Sequence, residues 1–213
     1  MSRNIIAILR GVKPSEMLEI AGTIAENGIT QIEVPMNFPD VFDSIQLLHD
    51  KMKDFISVGA GTVTNTKQVK ILEEIGIDFI VSPNFDSKVV EATKQANMLS
   101  FPGVITPTEC FSALNCGADG LKFFPASLLG ESNLAALRAV LPQNIPLYMV
   151  GGVGPENFSS WLSSGATGFG IGSGIYKAGD SSQSVASKSK LIVQSYDEAH
   201  KLLKSVCRQI LVI

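Results

Sequence analysis

A single lysine, Lys122, sits inside the apolar run Gly120-Leu121-Lys122-Phe123-Phe124-Pro125, and a single carboxylate, Glu33, sits between Ile32 and Val34. Both runs are short and bounded by turn formers, which favours buried strands over helices. Charged side chains are almost never fully buried without a partner or a task. The task open to an amine is nucleophilic attack. At an ordinary pKa near ~10.4, roughly one lysine in 2,500 is a free amine at pH 7. Desolvation by Phe123, Phe124 and a surrounding core disfavours the ammonium, whereas a nearby carboxylate favours it. If desolvation wins and the pKa falls to roughly 7–8, the nucleophilic fraction rises by about two to three orders of magnitude. Imine formation with a ketone requires such an amine. The blander accounts are a lysine snorkelling from a strand edge and an ion pair that only ties strands together.

The elements that must position these groups follow one repeated pattern. Apolar runs at 5–9, 29–34, 56–60, 79–82, 99–101, 120–124, 147–150 and 168–171 read as strands. Between them, 14–27, 41–52, 66–75, 87–97, 107–116, 133–141 and 155–164 read as amphipathic helices, and 184–206 as a long closing helix. Gly28, Gly76, Gly117 and Gly165 stand where left-handed caps end such helices. Continuous apolar strands separated by helices imply a parallel sheet covered on its outer face. Eight units in 213 residues average about 27 residues each, the pitch of a single-domain (β/α)8 TIM barrel spanning 1–213. A doubly wound open sheet is the rival. Against it, Leu9-Arg10-Gly11-Val12 stands where a Gly-x-Gly-x-x-Gly turn would follow the first strand. The stretch 177–190, rich in Ser and Gly, is expected to be a mobile lead-in to the last helix.

In such a barrel, chemistry sits at the C-terminal ends of the strands. The polar residues there are Arg10, Glu33, Thr62, Ser82 and Lys122. Strand alternation turns Glu33 to the barrel axis if Ile32 and Val34 face the helices, and does the same for Lys122 between Leu121 and Phe123. Strands two and six are both even and four apart, so the two side chains share a layer and face each other. Strands seven and eight run into Gly151-Gly152-Val153 and Gly170-Ile171-Gly172-Ser173-Gly174. Glycines there let backbone N–H groups approach an anion, and these loops hold phosphate in many such barrels. Gly151, Gly152, Gly172 and Ser173 are the candidate anion residues.

Bulk properties close off other classes. Hydrophobic residues make up 45% and charged residues 17% of the chain, as in ordinary globular proteins. A net charge of −3 gives no footprint for nucleic acid or an anionic membrane. No apolar run reaches membrane-spanning length, and a signal-peptide pattern is not evident. Cys110, Cys116 and Cys207 are odd in number and lack zinc-like spacing, which suits reduced thiols in a cytoplasmic protein. His49 and His200 are the only histidines, so a histidine-rich metal site is not expected. Trp161, Met52 and Met98 read as packing residues.

Taken in order, Ile6-Ala7-Ile8-Leu9-Arg10-Gly11, Glu33-Val34-Pro35-Met36-Asn37, Gly59-Ala60-Gly61-Thr62-Val63, Ser82-Pro83-Asn84, Leu121-Lys122-Phe123-Phe124-Pro125 and Val150-Gly151-Gly152-Val153 resemble the class I aldolases that cleave 2-keto-3-deoxy-6-phospho sugar acids, the KDPG/KDPGal aldolase family. The resemblance covers about residues 5–199. It implies a Schiff base at Lys122 and general acid/base work by Glu33. Arg10 and Thr62 would hold the pyruvate-derived part, and Gly151, Gly152 and Ser173 the phosphate. It also implies a phosphorylated sugar-acid substrate, a homotrimer, no cofactor and no metal. Asn37, where gluconate-type members tend to carry arginine, together with Arg10 and Pro35, looks more like the phosphogalactonate branch. A phosphosugar isomerase or epimerase, or a non-catalytic phosphosugar sensor, would share the barrel and the anion loops. Two departures stand out: little chain precedes the first strand, where family members often have a helix, and the chain carries an apolar end, Ile210-Leu211-Val212-Ile213. That end is expected under the barrel or at a subunit contact.

Overall fold

Every residue of the first strand, β1 (Ile5–Ile8), is buried, because it has a strand on either side and packing on both faces. The computed structural model describes residues 3–210, and side chains through Ser205. From β1 the chain continues through α1 (Pro14–Glu26), β2 (Gln31–Pro35), α2 (Val41–Met52), β3 (Ser57–Gly61), α3 (Thr66–Ile75), β4 (Phe79–Val81) and α4 (Ser87–Gln95). Then come β5 (Leu99–Phe101), β6 (Gly103–Val104), α5 (Pro107–Asn115), β7 (Leu121–Phe123), α6 (Ala126–Leu129) and α7 (Glu131–Arg138). The last elements are β8 (Leu147–Val150), α8 (Phe158–Ser163), β9 (Gly168–Ile171) and α9 (Ser182–Ile210).

All strand pairs are parallel, in the order β5-β4-β3-β2-β1-β9-β8-β7-β6. The two ends of that order, β5 and β6, are separated in the chain only by Pro102. Proline supplies no N–H and interrupts the ladder at that point. The two halves are one stave: β5 bonds to β4, β6 bonds to β7, and the Lys122 N–H donates to the Pro102 carbonyl at 3.0 Å. The nine strands are therefore eight staves, and the sheet closes as the sequence pattern requires.

The core divides at the strands. Ile32 and Val34 of β2, Leu121 and Phe123 of β7, and Leu147 and Met149 of β8 pack outward under the helices. Ile6, Ile8, Phe79, Val81, Phe101, Tyr148 and Val150 form a separate cluster within the barrel. Phe101 meets Phe79 edge-on at 6.0 Å and Tyr148 edge-on at 5.3 Å. Glycine makes room for these rings. A Cβ at Gly59 would overlap the Phe79 ring, and one at Gly168 would lie 2.6 Å from Tyr148.

Several boundaries differ from expectation. The helix expected over 133–141 is α7, which starts earlier at Glu131 and ends at Arg138, and a short helix not expected from the sequence, α6, precedes it across Gly130 with φ 75°. The helix expected from 155 starts at Phe158, because the Asn157 side chain holds the preceding loop as a turn. The lead-in expected over 177–190 is mostly α9, and Asp180 fixes the remainder by accepting from the Lys177 N–H and from Lys188. Trp161 and Met98 are core residues as expected. Cys110 is buried and Cys116 half-buried, both as free thiols. The expectations for the Cys207 side chain and the apolar end at 211–213 fall outside the described residues. No helix among those residues is long and apolar enough to cross a membrane.

Gly59→Ala should destabilise the fold by about 1–3 kcal/mol through overpacking against Phe79. Gly22→Ala, in α1 with nothing within 4 Å of the added methyl, should instead stabilise by up to about 1 kcal/mol. Urea unfolding midpoints of the two variants check both signs.

Candidate active site

Glu33 lies between two outward-packing residues of β2, so its carboxylate points into the barrel, as alternation requires. It is only 2% exposed. Gly61 at the end of β3 leaves the space it occupies, since a Cβ there would overlap the carboxylate. Lys122 lies between outward-packing Leu121 and Phe123 and is 7% exposed. Neither side chain hydrogen-bonds to a protein group among the described residues, so burial and charge set their chemistry. Burial pushes the Glu33 carboxyl up, while the charges of Lys122 and Arg10 pull it back. Burial likewise pushes the Lys122 ammonium down; Glu33 opposes this and Arg10 adds to it. Desolvation is the larger influence on both.

Glu33 and Lys122 were expected to meet over the mouth. They face the same interior and feel each other's charge, but the ion pairs of Lys and Arg among the described residues all lie elsewhere. Lys122 Nζ stands 5.0 Å from the centroid of the Phe124 ring.

The other expected residues fall around the same end of the barrel. Arg10 leaves the end of β1 exposed, and its Nη1 donates to Asn37 Oδ1 at 3.3 Å. Thr62 follows β3 with φ 59°. For a β-branched residue that conformation is a true outlier, of the kind that marks functional sites. Ser82 is buried at the end of β4.

Arg10, Phe124, Gly151, Gly152, Gly172 and Ser173 line one cavity of about 160 Å³. The sequence thus brings all four anion-loop candidates together, with a cation beside them. Gly151 and Gly152 have φ of 86° and 78°, which side chains rarely adopt. Their carbonyls are held back: Gly151 O accepts from the Ser127 N–H at 3.1 Å, and Gly152 O from Asn157 Nδ2 at 2.9 Å. Asn157 Oδ1 also accepts from the Gly154 N–H at 3.0 Å. The N–H groups of Gly152 and Ser173 have no protein acceptor among the described residues. This is the geometry of a backbone anion cradle.

Behind the cavity, the Tyr176 hydroxyl donates to Glu16 Oε1 at 2.7 Å, tying the loop after β9 to the start of α1. Burial and that carboxylate push the tyrosine pKa well above its usual value. Sequence reasoning did not single out Asn157, Tyr176 or Glu16. Asn157, a turn-forming side chain a few residues past two glycines, was the one with a readable signal.

A closed parallel barrel with a buried lysine and a buried carboxylate at one end, beside a glycine-lined cradle, defines a (β/α)8 scaffold equipped for chemistry at the C-terminal ends of its strands. The chain belongs to the family described as KDPG and KHG aldolase, whose pattern matches residues 1–187. It is 42% identical over 200 residues to a probable 2-dehydro-3-deoxy-6-phosphogalactonate aldolase of Rhizobium meliloti (strain 1021), covering 94% of each chain. It is 41% identical over 195 residues to the 2-dehydro-3-deoxy-6-phosphogalactonate aldolase of Escherichia coli (strain K12), covering 92% of this chain and 95% of that one. A solved structure described as native KDPGal superposes with a TM-score of 0.92 at 40% identity, covering 94% of this chain and 98% of the other.

A buried pair of this kind costs stability. The double variant Glu33→Leu, Lys122→Met should be as stable as the natural protein or more so, by about 1–4 kcal/mol near neutral pH. The folded-state pKa of Lys122 is depressed, so its burial cost is present below that pKa and relieved as pH rises toward ~10.4. The advantage of the double variant should therefore shrink on the alkaline side. Denaturant unfolding across pH checks both the sign and the trend; a large loss at neutral pH would contradict it.

Proposed function

We propose that the protein cleaves 2-dehydro-3-deoxy-6-phosphogalactonate to pyruvate and glyceraldehyde 3-phosphate through a Schiff base at Lys122. The observation that carries this reading is the lysine on the inner face of β7, whose burial outweighs the pull of Glu33 toward the charged form. The names of the two relatives at 41–42% identity support the reaction and the choice of substrate branch.

Neutral Lys122 adds to the C2 ketone, and the carbinolamine hydroxyl leaves as water with one proton taken from solvent, which gives a protonated imine; hydrolysis later returns that proton. That cation draws the electron pair of the C3–C4 bond toward nitrogen as the bond breaks. Glu33 takes the C4 hydroxyl proton, directly or through one water, and the aldehyde departs. The resulting enamine is protonated at C3, and water hydrolyses the pyruvyl imine to free the lysine. Each proton that Glu33 accepts is returned, so the site ends as it began. Arg10 pairs with the C1 carboxylate, and Thr62 holds the same end of the substrate. The remote phosphate rests on the N–H groups of Gly152 and Ser173, with Gly151 and Gly172 providing close backbone approach. Binding at that distance keeps the reacting bond aligned.

The imine is the electron sink, so the scheme calls on no cofactor or metal. From its odd number of cysteines without zinc-like spacing we place the enzyme in the cytoplasm, and from the family resemblance we take it to be a homotrimer. The reduced thiols and exposed apolar side chains such as Leu128 are consistent with that.

Assaying both C4 epimers of the substrate tests the proposal. The galactonate-configured epimer should be cleaved with a kcat/KM at least about tenfold higher, a difference of about 1.4 kcal/mol in transition-state stabilisation. Preference for the gluconate epimer would overturn the substrate assignment, and no cleavage of either would overturn the reaction.

A further inference from the structure

Phe124 stands between the two halves of the site. It follows the end of β7, two residues past Lys122, and while Phe123 packs outward its own ring lies beside the lysine and in the glycine cavity. Its ring lies under Lys122 Nζ, at 5.0 Å to the centroid. The same ring lines the glycine cavity with Arg10, Gly151, Gly152 and Ser173. It also packs on the backbone there, since a Cβ at Gly151 would lie 3.4 Å from Cδ2 and Cε2 of the ring. A phenylalanine 40% exposed gives up burial free energy that a core position would have supplied. At this position it gains contact with both the lysine and the cradle.

An aromatic face attracts cations, and the attraction is strongest where water is excluded. Along the proposed reaction Lys122 nitrogen passes from ammonium to neutral amine, neutral carbinolamine and cationic imine. The ring favours the first and last of these over the neutral forms between them, by about three- to thirtyfold in relative population. The cationic imine is the species that activates the C3–C4 bond, and a ring held in place stabilises it more than one that wanders.

We propose that Phe124 is a positioning residue that couples occupancy of the glycine cradle to the cationic imine on Lys122. An anion seated on Gly152 and Ser173 fills the space beside the ring and fixes it over the lysine nitrogen. Phosphate binding then raises the rate of the imine-dependent steps as well as the affinity. The inference rests on the reading of Lys122 as the imine former and of the cradle as the phosphate site.

The test separates the substrate into its two parts. Pyruvate alone occupies the lysine end, and deuterium exchange into its methyl group reports imine and enamine formation. Phosphite dianion is supplied as a separate occupant of the cradle. In the natural protein, saturating phosphite should raise the exchange rate by at least about tenfold. Phe124→Tyr, which keeps the ring, should retain that activation ratio. Phe124→Leu and Phe124→Met, which remove it, should lose the ratio whatever their exchange rate without phosphite. Activation of the Leu and Met variants to the same ratio would show that phosphite acts by its own charge, and would overturn the proposal. Exchange in the natural protein that phosphite does not accelerate would overturn it too. No exchange with or without phosphite would reject the Lys122 imine itself, a failure distinguishable from the other two.

Discussion

Taking one ammonium group out of water is the constraint on which this structure turns. Burial drives Lys122 toward the free amine and Glu33 toward the neutral acid, while their mutual attraction drives both back to the charged forms. Arg10 breaks the symmetry of that contest. Its cation holds the Glu33 carboxyl down and also pushes the Lys122 ammonium down. It thus favours carboxylate together with free amine, the combination that the proposed addition to a ketone starts from. Arg10 can do this from an exposed position because a charge beside a low-dielectric interior is poorly screened.

The barrel supplies that interior. Its lower layers are filled by Phe79, Phe101 and Tyr148, with glycines on neighbouring strands making room for the rings. Above them the filling stops, and Glu33 takes a place that only a glycine at 61 leaves free. The loops after β8 and β9 are fixed from outside by Asn157 and by the Glu16–Tyr176 bond. The glycine loops are therefore held in shape by the protein's own hydrogen bonds. Such preorganisation is what lets a remote group contribute to a reaction some distance away.

The inward direction of Glu33 and Lys122 was legible because strand alternation is strict: with Ile32 and Val34 outward, the residue between them has no other choice. The glycine runs were legible as a cradle once their strand ends were placed. The broken stave at Pro102 was not drawn from the sequence, because β5 and β6 are only three and two residues long and their continuity is a property of the neighbours. The left-handed Thr62 runs against the preference of a β-branched residue, so no local rule points to it. The separation of Glu33 from Lys122 depends on the barrel's width and on side-chain rotamers, neither of which spacing along the chain encodes. The turn that delays α8 is set by two hydrogen bonds on one asparagine side chain, one accepted and one donated, which competes with helix formation in a way periodicity does not register.

Reductive trapping measures the central claim directly. The protein is incubated with pyruvate and borohydride near neutral pH, and the product is examined by intact mass and by peptide mapping. The account predicts a single reduced pyruvyl group, carried by Lys122 and by no other lysine, because burial shifts this amine toward its free form. Labelling spread over surface lysines, or a Lys122 peptide recovered unmodified from a folded protein, would contradict it.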